Sequence, residues 1–330
     1  MDKSVRKYRW WVQGGMFALI VWLGYRFIGF TRYYETGGRS AFVPHPAGAA
    51  GFLPIGGLTS LKYWLVTGSI HPAHPAALVL LIAALSVSVV LKKGFCGWIC
   101  PINFISERIY PLWAKVFRRN ARPPKWVDYP LRSLKYILLF FFFTSIVIFM
   151  NATGLHNFLD GDYWKVADVK MLKFFTEMSG TSVVVIGALV FLSLPIRNFW
   201  CRYLCPYGAL LGIVAVVSPF EITRDKVKCI DCGKCTKNCP AYLPVDQKRK
   251  VVSPECTSCM TCLSGCPTAA ITYSTPGGGY SLRGKAFPLL LLGIFFGIIA
   301  VAMLTGHWNS SVADADLYRL VPIAESLMHP

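Results

Sequence analysis

The chain has 330 residues, 54% of them hydrophobic and only 15% charged, with a formal net charge of +18 and a mean hydropathy of +0.48. That balance excludes an ordinary soluble domain and fits a multi-span membrane protein. A basic excess of this size can mark a nucleic-acid binder, but membrane topology accounts for it without nucleic acid.

A bilayer core of ~30 Å is crossed by about 20 helical residues. Five stretches meet or approach that length: Trp10–Phe30, Pro75–Leu91, Leu134–Asn151, Thr181–Ile196 and Ala286–Leu304. The first is long and shows no small-residue cleavage site, so it reads as a retained anchor rather than a signal peptide. Arg26, near its outer end, is expected to snorkel to the interface. The expected fold is a membrane all-α bundle of about five transmembrane helices, carrying an inserted small, polar, cysteine-dense α+β domain. In chain order this predicts an anchor at 1–33, an outer loop at 34–74, a membrane core at 75–220, the cysteine-dense domain at 221–275, and a last transmembrane helix with an outer tail at 276–330.

The outer loop is rich in Gly and Pro, "GGRSAFVPHPAGAAGFLPIGGL", and reads as functional or loosely ordered. After the second apolar stretch comes "KKGFCGWICP", then "PINFISERIYPLWAKVF", an expected amphipathic helix, then a basic, proline-containing linker to residue 133. Residues 152–180 read as a second outer loop. After the fourth stretch, "IRNFWCRYLCP" repeats the earlier arrangement: Cys96 and Cys201, Cys100 and Cys205, and Pro101 and Pro206 each stand 105 positions apart. Each half therefore reads as span, basic turn, C-x3-CP and a helix opening on proline at its first position. Helix residues four apart share a face, and two halves related by an axis along the membrane normal would bring Cys96, Cys100, Cys201 and Cys205 together. Three readings follow for this quartet: a shared four-thiolate centre such as a third iron–sulfur cluster, a redox-active or soft-metal site for an ion such as Cu(I), or packing of small apolar cysteines.

"CIDCGKCTKNCP" and "CTSCMTCLSGCP" supply Cys229, Cys232, Cys235, Cys239 and Cys256, Cys259, Cys262, Cys266. Both follow C-x2-C-x2-C-x3-CP, the bacterial ferredoxin run, in which the fourth cysteine ligates the other cluster. Two [4Fe–4S] clusters are expected, one on Cys229, Cys232, Cys235 and Cys266, the other on Cys256, Cys259, Cys262 and Cys239. Zinc prefers separated C-x2-C pairs and fits this pattern badly. Lys226, Lys228, Lys234 and Lys237 around the first run read mostly as solvated surface; their functional alternative is to raise cluster potentials or dock an acidic partner. No Gly-rich dinucleotide fingerprint or phosphate loop supports NAD, FAD or ATP use.

With the amino terminus inside, segments 1–9, 92–135 and 197–285 hold 26 of the 34 Lys and Arg but 8 of the 16 acidic residues. That asymmetry places them on the cytoplasmic side of the inner membrane, with the carboxy terminus outside. All 12 cysteines fall in the same segments, as thiols kept in a reducing compartment should.

Two C-x3-CP motifs at helix ends followed by a two-cluster ferredoxin run resemble the NapH/NosR/CcoG group of membrane polyferredoxins over roughly residues 72–275. The resemblance implies an inner-membrane electron-transfer protein, a carrier or subunit of an oxidoreductase system rather than a stand-alone enzyme, and its ligand positions fall on all 12 cysteines. In that group NapH is associated with quinol electrons bound for nitrate reduction, NosR with nitrous oxide reduction, and CcoG with copper reduction and oxidase assembly. The chain departs from the group in the span Ala286–Leu304 with its outer tail, which NapH lacks, and in having no outer flavin-binding domain like that of NosR. The expected function is relay of electrons between a membrane quinol or cytoplasmic donor and a redox protein. The alternatives are a copper-reducing maturation factor and a structural scaffold of a respiratory complex.

The six histidines, His45, His71, His74, His156, His307 and His329, all fall on or beside the outer face in this topology. His71, His74, His156 and His307 flank span ends, as candidates to converge on a quinol headgroup or a metal. No pair lies deep in opposing spans, so an intramembrane bis-histidine haem is not expected. The cysteines and the outer face are ~30 Å apart, too far for one electron step. A membrane-impermeant maleimide added to intact cells should therefore leave every cysteine unmodified and label them after permeabilisation; modification before permeabilisation reverses the orientation.

Overall fold

The computed structural model describes residues 4–117, 123–276, 279–282 and 284–327. His329 and residues 118–122 of the expected linker lie outside the described residues. The helices are α1 (Ser4–Glu35), α2 (Pro54–Thr67), α3 (Pro75–Leu91), α4 (Gly94–Trp98), α5 (Pro101–Phe117), α6 (Lys125–Phe143), α7 (Ala152–Asp160), α8 (Asp162–Lys165), α9 (Ala167–Thr176), α10 (Gly180–Ser193), α11 (Pro206–Val214), α12 (Lys234–Lys237), α13 (Thr261–Ser264), α14 (Ala286–Leu304) and α15 (Asp314–Leu320). Strands β1 (Glu221–Arg224), β2 (Lys250–Val251) and β3 (Ile271–Ser274) form one antiparallel sheet in the order β2–β1–β3.

Among the described residues, three helices are long and apolar enough to cross a membrane: α1, α6 with its continuation to Phe149, and α14. The other two expected spans are shorter. Helix α3 has 17 residues. Helix α10 has 14 and passes as a span only together with α9, from which it bends by 77°. The break falls at residues 177–179, where the Glu177 N–H closes α9 onto Lys173 O and Ser179 Oγ accepts the Ser182 N–H at the start of α10. Large apolar side chains stand bare along these helices, among them Phe140 (69% exposed), Val184 (70%) and Leu304 (87%). A water-soluble protein rarely tolerates so much contiguous apolar surface.

The chain divides into two compact units. One comprises Met1–Ala18, Ala84–Leu139 and Ala188–Phe296; the other Leu19–Ala83, Phe140–Gly187 and Gly297–Pro330. In the first, β1 pairs Ile222 with Val251 and with Tyr273. Tyr273, fully buried, stacks on Phe220 at 5.6 Å and meets Phe287 of α14 edge-on at 5.4 Å. Phe287 also packs against Trp98 of α4, ring centroids 4.9 Å apart. The small sheet, the FCGWICP turn and the start of the last helix thus share one aromatic core.

The second unit corrects the expectation of loose loops at 34–74 and 152–180. The first holds a 3-10 turn (Ala47–Phe52) and the 14-residue α2; the second holds α7, α8 and α9. The Gly and Pro that suggested loop have specific jobs. Pro54 sits at the first position of α2, where its missing N–H is not needed. Gly56 leaves room for the buried indole of Trp164: a Cβ there would lie 1.8 Å from Trp164 Cη2. Trp164 then packs with Leu53, Ala73, Leu155, Leu159 and Ala167. Because the obstruction is a rigid ring, Gly56→Ala should overpack this cluster and cost about 1–3 kcal/mol. The check is a lowered Tm of the purified protein, with Gly14→Ala, whose added Cβ meets nothing within 4 Å, as the control.

Candidate redox centre

The two C-x3-CP motifs fold alike, though not as one helix face. Helix α4 ends before Cys100, and Cys201 lies in a short π-helical turn (Trp200–Leu204). In both halves the second cysteine closes a wide turn: Cys100 N–H donates to Phe95 O at 3.1 Å, and Cys205 N–H to Trp200 O at 3.0 Å. It then caps the next helix. Cys205 is extended (φ −75°, ψ 104°), its Sγ accepts from Gly208 N–H at 3.2 Å, and Pro206 is the first helical residue. Cys100 Sγ likewise receives the backbone N–H groups of Ile102 and Asn103. Proline fits the first helical position, and a helix amino terminus favours negative charge. The expectation of a shared helix face is thus replaced by two sulfur-capped helix starts.

All four cysteines line one cavity of about 700 Å³, part of it open to solvent. Burial raises each thiol above its ordinary range: Cys96 to about 12, with the other thiols adding to it, and Cys100 to about 11. Burial and then the proximity of Cys100, Cys205 and Cys96 push Cys201 well up. Four thiolates crowded at this partly covered spot need cationic compensation. Buried Lys93 lines the cavity, as do Arg202, Glu255, Asn103 and Asn198. Asn198 Nδ2 donates to Asn103 Oδ1 at 2.9 Å, which leaves Asn103 Nδ2 buried without a partner among the described residues. Four sulfurs, a lysine and a spare N–H donor fit an anionic iron–sulfur group.

A second cavity, of about 370 Å³ and partly open, is lined by Cys239, Cys256, Cys259 and Cys262. The chain therefore carries Cys239 to the three cysteines of the other run, and Thr261 Oγ1 donates to Cys259 Sγ at 3.4 Å. Burial holds Cys239 up at about 12. The two cavities share Pro240, Ala241 and Thr257 as lining residues. The remaining ferredoxin cysteines differ in accessibility: Cys235 and Cys266 are buried, Cys229 is partly buried and Cys232 is exposed. Arg224 Nη1 donates to Cys229 Sγ at 3.5 Å. Among the described residues, no group of three or more His, Cys, Asp or Glu is closed tightly enough for a single metal ion.

The spacer residues of the motifs hold this arrangement, and sequence reasoning missed them. Trp98 Nε1 donates to Ser258 O at 2.9 Å, and a Cβ on Gly97 would lie 2.3 Å from Thr257 O. In the other motif Arg202 forks onto Asp128 of α6 (Nε to Oδ1 2.8 Å, Nη2 to Oδ2 2.7 Å) and donates from Nη1 to Ala241 O at 3.0 Å. Tyr203 donates to the same carboxylate at 2.7 Å. Beside the quartet's cavity, fully buried Lys135 pairs with Glu255 at 2.6 Å. Helix α1 reaches the FCGWICP turn through Gln13 Nε2 and Arg9 Nε, both donating to Gly97 O, while Arg9 pairs with Glu107. The one available signal was position: Gly97, Trp98, Arg202 and Tyr203 fall between paired cysteines.

Among the described residues, the histidines do not converge as one group. His71 and His156 both engage Asp160, the first at 3.0 Å. His74 bonds Trp164 O at 2.8 Å, and its ring centroid lies 6.5 Å from that of His45, which pairs with Asp168 at 2.6 Å. His307 is exposed beside Thr305. Arg26 lies over the Trp22 ring at 5.5 Å.

A family model described as a 4Fe-4S binding domain matches residues 73–123 and 179–224, and one described as a 4Fe-4S dicluster domain matches 221–267. Each of the first two segments contains one C-x3-CP motif. The putative electron transport protein YccM of Escherichia coli is 45% identical over 320 residues, covering 95% of this chain and 89% of that protein. The ferredoxin-type protein NapH of Haemophilus influenzae is 27% identical, covering 61% of this chain and 70% of its own length. The regulatory protein NosR of Pseudomonas aeruginosa is also 27% identical, covering 51% and 23% respectively. No solved structure is detectably similar. Since the Gly97 α-carbon is pressed on a backbone carbonyl, Gly97→Ala should displace Thr257 and lower the iron retained per purified chain, while Gly15→Ala, with open space around it, should not; iron analysis decides.

Proposed function

The chain belongs to the family of ferredoxin-type membrane proteins that includes YccM, NapH and NosR, and it carries 4Fe-4S-binding domains; from that premise we propose that it is an integral inner-membrane protein relaying single electrons between a quinol or cytoplasmic donor and a redox protein. The observation that carries the reading is the common lining of the two thiol cavities. Four C-x3-CP sulfurs line one, Cys239, Cys256, Cys259 and Cys262 line the other, and Pro240, Ala241 and Thr257 belong to both. One-electron transfer needs closely spaced centres in fixed orientation, which the protein supplies while the cofactor carries the chemistry.

In this proposal Cys229, Cys232, Cys235 and Cys266 hold one [4Fe–4S] cluster; Cys239, Cys256, Cys259 and Cys262 hold a second; and Cys96, Cys100, Cys201 and Cys205 hold a third centre. Such clusters, when bound, supply reversible one-electron couples whose potentials follow charge, hydrogen bonds to sulfur and solvent exposure. The chain's own groups set those variables. Lys93 places a cation beside the quartet, Gly208 and Asn103 offer N–H donors to its sulfurs, and Arg202 fixes Ala241 in the common lining. The basic segments bearing the cysteines are proposed to face the cytoplasm and the carboxy terminus the periplasm, with α1, α6 and α14 among the spans.

Iron and acid-labile sulfide counts on anaerobically purified protein test this assignment. About twelve irons per chain are expected for three cubanes and about eight after alanine replacement of the quartet. Both preparations should bleach on reduction by a low-potential donor. Iron-free protein, or a quartet that binds copper instead of iron, overturns it.

A further inference from the structure

We infer that the loop bearing Cys229 and Cys232 is a docking surface for a small soluble redox protein with an acidic contact face. The inference rests on the electron-relay reading and names the partner at its accessible end. Among the eight ferredoxin cysteines, Cys232 alone is exposed, Cys229 and Cys259 are partly so, and Cys235, Cys239, Cys256, Cys262 and Cys266 are buried. Electrons exchanged with a soluble protein must cross where the thiols come nearest to the surface.

That surface is built for contact. Val227 is 96% exposed and Ile230 64% exposed, on either side of Cys229. They stand on an ordered turn: Asp225 Oδ1 accepts the N–H groups of Val227 (2.9 Å) and Lys228 (3.4 Å), and Arg224 pairs with Asp231 at 2.9 Å. Folding has therefore fixed two apolar side chains outward beside an exposed cysteine. Lys226, Lys228, Lys234, Lys248 and Arg249 are exposed in the same region. A small apolar centre inside a basic rim suits the brief, electrostatically steered encounters of redox proteins, in which charge sets the association rate and a small interface keeps the complex short-lived. A second copy of this chain would bring the same basic rim and be repelled. An anionic lipid surface would also attract lysines, but it would cover the most accessible cysteine of the domain.

The test uses the full-length, cluster-loaded protein in nanodiscs of zwitterionic lipid. The probes are an acidic flavodoxin, basic cytochrome c, and vesicles with or without phosphatidylglycerol. Flavodoxin should bind with a Kd that rises about tenfold or more between low and moderately high salt. The variant K226E/K228E/K234E should weaken flavodoxin binding by about tenfold, and Ile230→Ser by a smaller factor, with iron and sulfide per chain unchanged. No flavodoxin binding, equal binding of cytochrome c, or an undiminished flavodoxin affinity in the triple variant overturns the proposal. So does a triple variant that loses only its affinity for phosphatidylglycerol vesicles, which would make the surface lipid-facing. Wild-type protein that lacks iron and sulfide defeats the relay reading instead, a result read separately from the binding data.

Discussion

A sulfur atom at the mouth of a helix that opens on proline is the constraint on which this structure turns. Proline cannot donate an N–H and disfavours helical geometry in the residue before it. Each preceding cysteine is therefore held outside the helix, with its Sγ over the free N–H groups of the first turn. Cys100 and Cys205 meet these conditions in the same way, 105 positions apart, each closing a wide turn onto an aromatic residue five positions back. Two sulfurs are thus fixed by backbone geometry, and Cys96 and Cys201 join them at the same cavity.

The spacers make the pair of motifs more than a ligand set. Gly97 and Trp98 meet the Thr257–Ser258 backbone; Arg202 meets Ala241 and is itself braced by Asp128. The motifs differ chemically where they match in register: Lys93 stands three residues before Cys96, and Asn198 three before Cys201. One half lends a buried cation, the other a neutral amide. Pseudo-symmetry of the backbone therefore supports an asymmetric electrostatic environment.

Sequence spacing exposed the cysteine framework because ligation geometry and proline placement act locally. The C-x3-CP repeat, the helix starts at Pro101 and Pro206, and the amphipathic helix Pro101–Phe117 were all readable for that reason. The helices of 54–67 and 152–176 were not, since Pro54, Gly56 and Gly57 look like loop residues until Trp164 and Ala77 are seen packed against them. The wide turns at the second cysteines were hidden too, because C-x3-C spacing suits an ordinary helix equally well. Lys93, Asn103, Arg202 and Glu255 are unremarkable in sequence, and only tertiary contact gathers them around one cavity.

Gly97 and Gly212 each press a bare α-carbon against a carbonyl of the cysteine-rich segment, Thr257 O and Pro254 O, at separations that leave no room for a methyl group. Surfaces fitted this closely cannot be exchanged one at a time. A ferredoxin module grafted from a distant homologue would bring its own backbone path past these two points, and even sub-ångström differences would meet main chain rather than yielding side chains. The segments bearing Gly97 and Gly212 and the cysteine-rich segment they meet are in that sense bound to evolve as a unit, their coupling written in the absence of side chains.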